Sequence, residues 1–268
     1  MTHGDAQTAD DDVRNSARGR PTTAVDAPIV ASAVGFDLGE TLYHYRDAPM
    51  NWLERVRPRL DKVVDACGLD RSQAKVAAAP EALPSYSAHL RRRIEMRSAA
   101  DAMTAALAAL DGDAAERLES AVDAVSARLR TSLVAYPDAI TTLAALKQSG
   151  FIVGALSNVP FATPRRTIRK DLERLGLAPY IDGFVTSVDV GLRKPHRAAF
   201  EWLAATLGVS LHEIAYVGNL PTDVSGARAC GCLPIFLDRT ASGIDYGQAA
   251  TVRELREVPA LLVKPGPG

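Results

Sequence analysis

Ala33–Val34–Gly35–Phe36–Asp37–Leu38–Gly39–Glu40–Thr41–Leu42 is the stretch around which the rest of the chain is read. An apolar run climbs to a single carboxylate, and a glycine then breaks it. Such a run reads as a buried parallel strand. Open α/β sheets place their ligand crevice at C-terminal strand ends. Asp37 is therefore expected at the mouth of a site, with its backbone pinned by the sheet. A carboxylate held there suits a nucleophile, a metal ligand or a general base. An Asp after a strand also simply caps turns, and on its own the stretch favours that plainer role.

Three downstream stretches change the balance. The first strand spans about Ile29 to Asp37. A second apolar run, Phe151 to Leu156, leads straight into Ser157–Asn158. A hydroxyl and an amide at a strand end can donate hydrogen bonds to an anion, although both residues also form turns. A short strand at Gly183 to Ser187 precedes Gly191–Leu192–Arg193–Lys194–Pro195. Pro195 keeps the Lys194 backbone out of the helical region, and a lysine there could neutralise a carboxylate and a phosphoryl oxygen together. A fourth strand, Ile214 to Gly218, ends on Asn219 and Asp223, where a helix carrying Gly226–Ala227 begins. Cys232 to Leu237 supplies a fifth. Helical pieces alternate with these strands: one starting at Pro137–Asp138 with Ile140, Leu143 and Leu146 on its apolar face, one over Pro164 to Leu175, and one through Phe200, Leu203 and Leu207.

Two segments break this alternation. Residues 1–28 are polar and nearly free of aliphatic side chains, so they read as a flexible tail. Residues 47–133 are alanine-rich with helical spacing, as in Trp52, Leu53, Val56, Leu60, Val63 and Val64. This reads as an all-helical block inserted after the first strand, between core segments 29–46 and 134–263. Its arginines Arg91, Arg92, Arg93 and Arg97 read as a solvated helix face, or as a contact for an anionic substrate. Tyr43, His44, Tyr45 and Arg46 either line the strand mouth or pack in an ordinary connection.

The length of 268 residues and 47% hydrophobic content allow one large domain or a domain plus an insert. A net charge of −1 offers nothing to nucleic acid or an anionic membrane. No apolar stretch is long enough to span a bilayer, and no signal-peptide core is visible. The three cysteines (Cys67, Cys230 and Cys232) form no zinc pattern and suit a reducing cytoplasm. The sequence does not indicate an oligomeric state.

Asp37-x-Gly39-x-Thr41–Leu42, Ser157–Asn158, Gly191-x-x-Lys194–Pro195 with Phe200, and Val217–Gly218–Asn219 with Asp223 and Gly226–Ala227 follow in this order. Together they resemble the four-part signature of the haloacid dehalogenase superfamily, in the branch with a helical cap inserted after the first strand. The resemblance implies an α/β fold: a Rossmann-like parallel sheet of five or six strands with an all-helical cap. It implies a Mg²⁺-dependent phosphatase of a small phosphorylated metabolite, with Asp37 as the nucleophile that forms an aspartyl-phosphate. Thr41, Ser157 and Asn158 would bind the phosphoryl group, and Lys194 would hold charge on it and on Asp37. Magnesium would meet Asp37, the Gly39 carbonyl, Asn219 and Asp223.

The sequence departs from that pattern at two positions. Gly39 stands where phosphatases of the superfamily carry a second Asp, which protonates the leaving group and activates water. Glu40 is a tempting substitute. In an extended segment, however, alternate side chains point opposite ways, so Glu40 is expected to face away from the Gly39 side. Asn219 stands where Asp is more usual and carries no charge for a metal. Dehalogenases of the superfamily also lack the second Asp and need no metal, but their pattern has an aromatic residue at position 39 and a Tyr at position 200. The other readings are thus a 2-haloacid dehalogenase-like hydrolase, or a non-catalytic relative that binds a ligand or partner.

Overall fold

The computed structural model describes residues 28–46, 130, 132–159 and 163–266. The insert assigned to 47–133 lies outside them except at its last residues, as do the tail, Arg91, Arg92, Arg93, Arg97 and Cys67.

In chain order the strands and helices begin with β1 (Ile29–Val30), β2 (Ala33–Phe36), β3 (Tyr43–Tyr45) and β4 (Leu133–Ala135). Then come α1 (Ala139–Gln148), β5 (Ile152–Ser157), α2 (Arg165–Arg174), β6 (Gly183–Thr186), α3 (Ser187–Val190) and α4 (Arg197–Leu207). The chain continues through β7 (Ile214–Gly218), α5 (Pro221–Cys230), β8 (Leu233–Leu237), β9 (Ala250–Val252), α6 (Val258–Leu261) and β10 (Leu262–Val263).

Six parallel strands form the central sheet in the order β6-β5-β2-β7-β8-β9. From β2 the chain first winds to one side through β5 and β6, then returns to β7 and winds to the other. The strand order therefore reverses beside β2, and the crevice of such sheets lies at that point. Asp37, Asn158 and Asn219 all leave the sheet there.

Alternation along the strands divides the core. Val34, Phe36, Val153 and Val217 face Leu143 and Leu146 of α1 and Ile168 and Leu172 of α2. Ala33, Leu156 and Tyr216 face Phe200, Leu203 and Leu207 of α4 and Ala227 of α5. Both sheet faces are covered, which is why the strands read as unbroken apolar runs. Each large aliphatic or aromatic side chain buried this way contributes about 1.5–3 kcal/mol.

Three features go beyond or differ from the sequence reading. The expected strand Ile29–Asp37 is split, because Ser32 turns aside and its amide donates to Glu213 O at 2.9 Å. β1 instead pairs with β10 in a separate two-stranded sheet. The sheet has six strands, within the five or six expected; the sixth, β9, is not marked by the apolar pattern because it has only three residues and follows a long irregular loop. Tyr43, His44 and Tyr45 form β3, which pairs antiparallel with β4. The two strands of this hairpin bracket residues 47–129. No helix among the described residues is long and apolar enough to cross a membrane.

Gly226 explains why a small residue stands in α5. A Cβ there would lie 2.5 Å from the Phe200 ring and 2.9 Å from Pro195 Cα. Gly226→Ala gains about 1 kcal/mol of helix propensity, while overpacking costs about 1–3 kcal/mol, and the backbone of Pro195 cannot swing aside. The variant should therefore unfold at lower denaturant concentration than the parent with an unchanged slope, as measured by urea melts followed by circular dichroism.

Candidate active site

Asp37 follows β2 directly, and its amide donates to Val217 O on β7 at 2.9 Å. The neighbouring strand β7 thus fixes the backbone of the carboxylate. The side chain is buried, and Lys194 Nζ donates to its Oδ1 at 2.6 Å. The same ammonium donates to Leu156 O and to the Tyr216 hydroxyl, both at 2.9 Å. It also lies 2.7 Å from Asp223 Oδ1. The four groups that the sequence spreads over 187 positions, from Asp37 to Asp223, converge on one buried cation.

The lysine is held by its backbone as well as its side chain. Asn158 Nδ2 donates to Lys194 O at 3.0 Å, and Lys194 N donates to Asn158 Oδ1 at 2.8 Å. Both ends of this amide are engaged, so Asn158 braces the lysine loop instead of presenting its side chain to an anion. The Lys194–Pro195 peptide is cis. Ser157 ends β5 and is buried; its hydroxyl makes no hydrogen bond to a described residue.

Asp223 sits in the first turn of α5, and its Oδ2 accepts from the Leu220 amide at 2.9 Å, capping the helix. Its Oδ1 is buried and ion-paired with Lys194 at 2.7 Å, without an aligned hydrogen bond. Gly218 makes room for this carboxylate: a Cβ there would lie 2.4 Å from it. Thr41 donates its hydroxyl to Asn219 Oδ1 at 3.2 Å, which ties the turn after Asp37 to the end of β7.

Tyr216 was not singled out in the sequence. Its hydroxyl donates to Leu156 O at 2.8 Å while accepting from Lys194. Gly35 lets its ring approach β2, since a Cβ at Gly35 would lie 2.8 Å from Tyr216 Cδ2. The signal available was a phenol in an otherwise aliphatic strand two residues before a strand-end glycine.

Burial pushes the Asp37 carboxyl up to about 6, with Lys194 pulling it down and Asp223 pushing it further up. Desolvation is the largest single influence on Lys194 and opposes its charge, but Asp223 and Asp37 together outweigh it, so it titrates well above the ordinary lysine range. The ammonium is therefore charged at neutral pH. Two carboxylates against one ammonium leave the cluster negative when both are ionised, and that favours a further cation.

Asp37, the Gly39 carbonyl, Asn219 and Asp223 offer oxygen donors only, which is the ligand set that Mg²⁺ prefers. Asp223 Oδ1, which has the Lys194 ion pair but no aligned hydrogen bond, fits such an ion. Among the described residues no three His, Cys, Asp or Glu side chains gather, so an ion here would rely on the amide and the backbone carbonyl as well.

A model of the haloacid dehalogenase-like hydrolases matches residues 31–231. The chain belongs to this family. It is 34% identical over 116 residues to a phosphoglycolate phosphatase from Yersinia pseudotuberculosis, covering 42% of this chain and 46% of that protein. A phosphoglycolate phosphatase from Salmonella typhimurium is 32% identical over 123 residues, 45% of each chain. The chain thus spans less than half the length of these curated relatives in the matched region. Among solved structures, a haloacid dehalogenase-family phosphatase from Thermococcus onnurineus superposes with a TM-score of 0.59 at 24% identity, over 86% of this chain and 97% of that one. A 2-haloacid dehalogenase from Pseudomonas syringae pv. Tomato gives the same TM-score, 0.59, at 22% identity, over 87% and 98%. These likenesses establish the fold, which both activities share.

In the metal-free protein the Asp37 carboxyl should titrate near pH 6, as read by carboxyl-carbon NMR with assignment through Asp37→Asn. Lys194→Met removes the largest influence that lowers it, so the midpoint should move higher.

Proposed function

We propose that this chain is a Mg²⁺-dependent phosphatase of a small phosphorylated metabolite and that Asp37 is its nucleophile. The observation that supports this most is the buried Lys194 ammonium, 2.6 Å from Asp37 and 2.7 Å from Asp223. A phosphoryl group is anionic and so is Asp37. Attack requires fixed positive charge beside both. The curated relatives described above are phosphatases of a small phosphorylated acid, which supports this substrate class over a haloacid. A phosphatase of this kind would act in the cytoplasm, where the buried free thiols of Cys230 and Cys232 persist.

In the reaction an Asp37 oxygen bonds to phosphorus, and the bond from phosphorus to the leaving oxygen breaks. Lys194 holds the carboxylate in place and offsets charge on the transferring group. The buried Ser157 hydroxyl at the end of β5 would donate to a phosphoryl oxygen. Mg²⁺ held by Asp37, the Gly39 carbonyl, Asn219 and Asp223 would supply further positive charge against the phosphoryl oxygens. Hydrolysis of the aspartyl-phosphate by water then restores Asp37.

Position 39 is where this chain differs. A Cβ on Gly39 would meet nothing within 4 Å, so the place of an acid side chain is open space among the described residues. Glu40 does not fill it. The segment is not extended as the sequence suggested: Glu40 has φ 58°, and its carboxylate accepts from the Tyr136 hydroxyl at 2.9 Å. Leaving groups that depart readily as anions, such as acyl phosphates, suit this site best.

Phosphate release from p-nitrophenyl phosphate, acetyl phosphate and 2-phosphoglycolate should require Mg²⁺ and vanish in Asp37→Asn. Halide release from 2-haloacids without metal, or silence with every substrate from a folded protein, would overturn the reading. Because the space beside Gly39 is open, Gly39→Asp should fold normally. It should speed turnover of poor leaving groups by about tenfold or more, toward the 10²–10⁴ typical of acid–base help, while acetyl phosphate gains less. Equal gains for both substrates would count against a missing acid.

A further inference from the structure

We infer that Arg239, which none of the signature motifs includes, is a positioning residue for the turn that follows the nucleophile. It stands just past the C-terminal end of β8. Its Nη1 and Nη2 donate to Asp138 Oδ2 and Oδ1 at 3.3 and 3.2 Å, a two-pronged pair. Nη2 also donates to Thr41 O at 3.2 Å. The guanidinium carbon lies 3.8 Å from the Tyr136 ring centroid, and that ring's hydroxyl donates to Glu40. One planar cation thus grips two consecutive residues of the turn, Thr41 directly and Glu40 through Tyr136.

Asp138 shows that this arrangement is built for the purpose. It occupies the N-cap of α1, yet its side chain makes no capping bond. Its Oδ2 instead accepts from the Leu255 amide at 2.7 Å as well as from Arg239. The anchor therefore belongs to the rigid body of the domain.

The turn needs such a hold. Glu40 occupies the left-handed region, which carries a cost for a residue with a Cβ. The amides of Thr41, Leu42 and Tyr43 all converge on Leu38 O, at 3.3, 2.8 and 3.2 Å. That turn carries the Gly39 carbonyl and the Thr41 hydroxyl, which reaches Asn219. Loosening it shifts groups beside the reacting carboxylate, while the rest of the ligand's surroundings stay put. The loss should therefore fall on kcat.

The inference rests on the proposed phosphatase reading for its kinetic consequence but not for its structural one, so the test has two arms. In Arg239→Met, hydrogen exchange at the Thr41, Leu42 and Tyr43 amides should speed by about tenfold or more, with β7 amides unchanged. With Mg²⁺ and p-nitrophenyl phosphate, kcat should fall about 10–100-fold, with KM within about twofold. Arg239→Lys should restore neither, because an ammonium cannot reproduce the fork or the stacking. Unchanged exchange in Arg239→Met overturns the inference, as does faster exchange with kcat intact or a loss confined to KM. If the parent protein releases no phosphate, the functional reading fails and exchange alone decides the role of Arg239. If Arg239→Met does not fold, Tyr136→Phe, which removes only the bond to Glu40, must still speed exchange in the turn or the inference falls.

Discussion

A lysine ammonium removed from water needs compensation, and the active end of this molecule is built around supplying it. Lys194 is buried among Asp37, Asp223, the Leu156 carbonyl and the Tyr216 hydroxyl. Burying an ion without partners costs several kcal/mol, and removing one partner of a buried pair costs about 3–5 kcal/mol. The cluster can therefore exist only if β2, β5, β7 and the start of α5 end at the same place. The sheet order and the brace from Asn158 bring that about. Glycines at 35, 218 and 226 allow the close approaches it requires.

The same electrostatics shape the chemistry. A nucleophilic carboxylate must be ionised and yet must meet another anion. Burial works against its ionisation, and Lys194 works for it. Because Asp223 also faces the ammonium, the cluster remains short of positive charge. Asp223 Oδ1, ion-paired with Lys194 but without an aligned hydrogen bond, is the oxygen beside Asp37 left with capacity for one. A dianionic ligand and a divalent cation complete such a site more naturally than a neutral ligand does.

Around this centre lies a second layer of contacts on a different side of Asp37. Lys194 holds the side chain of Asp37, while the Arg239, Asp138 and Tyr136 network holds the turn beyond it. The two sets share no residue, and they meet through Thr41 and Asn219. The β3–β4 hairpin grows from this second set, with the Tyr136 amide donating to Leu42 O at 3.0 Å. The base of the segment that leaves the core at residue 46 is thus tied to the turn that carries the Gly39 carbonyl.

The local pattern of the chain determined the sheet core, and the family signature picked out the residues that meet at Lys194. Apolar runs ending in polar residues mark buried parallel strands because both faces of such a sheet are covered. Asp37, Ser157 and Asn219 each stand at or just beyond such an ending, while Lys194 follows β6 only after α3 and Asp223 lies in the first turn of α5. Only the tertiary structure decided the rest, because it depends on contacts between distant parts of the chain. β9 is too short to declare itself and exists by pairing with β8. Asn158 looks like an anion donor until its amide is seen clasping Lys194. Tyr216 reads as one more core aromatic, and Arg239 and Asp138 are 101 positions apart with no motif around either. A side chain's chemical type can be read from the sequence, but its partner is fixed only when folding brings the two together.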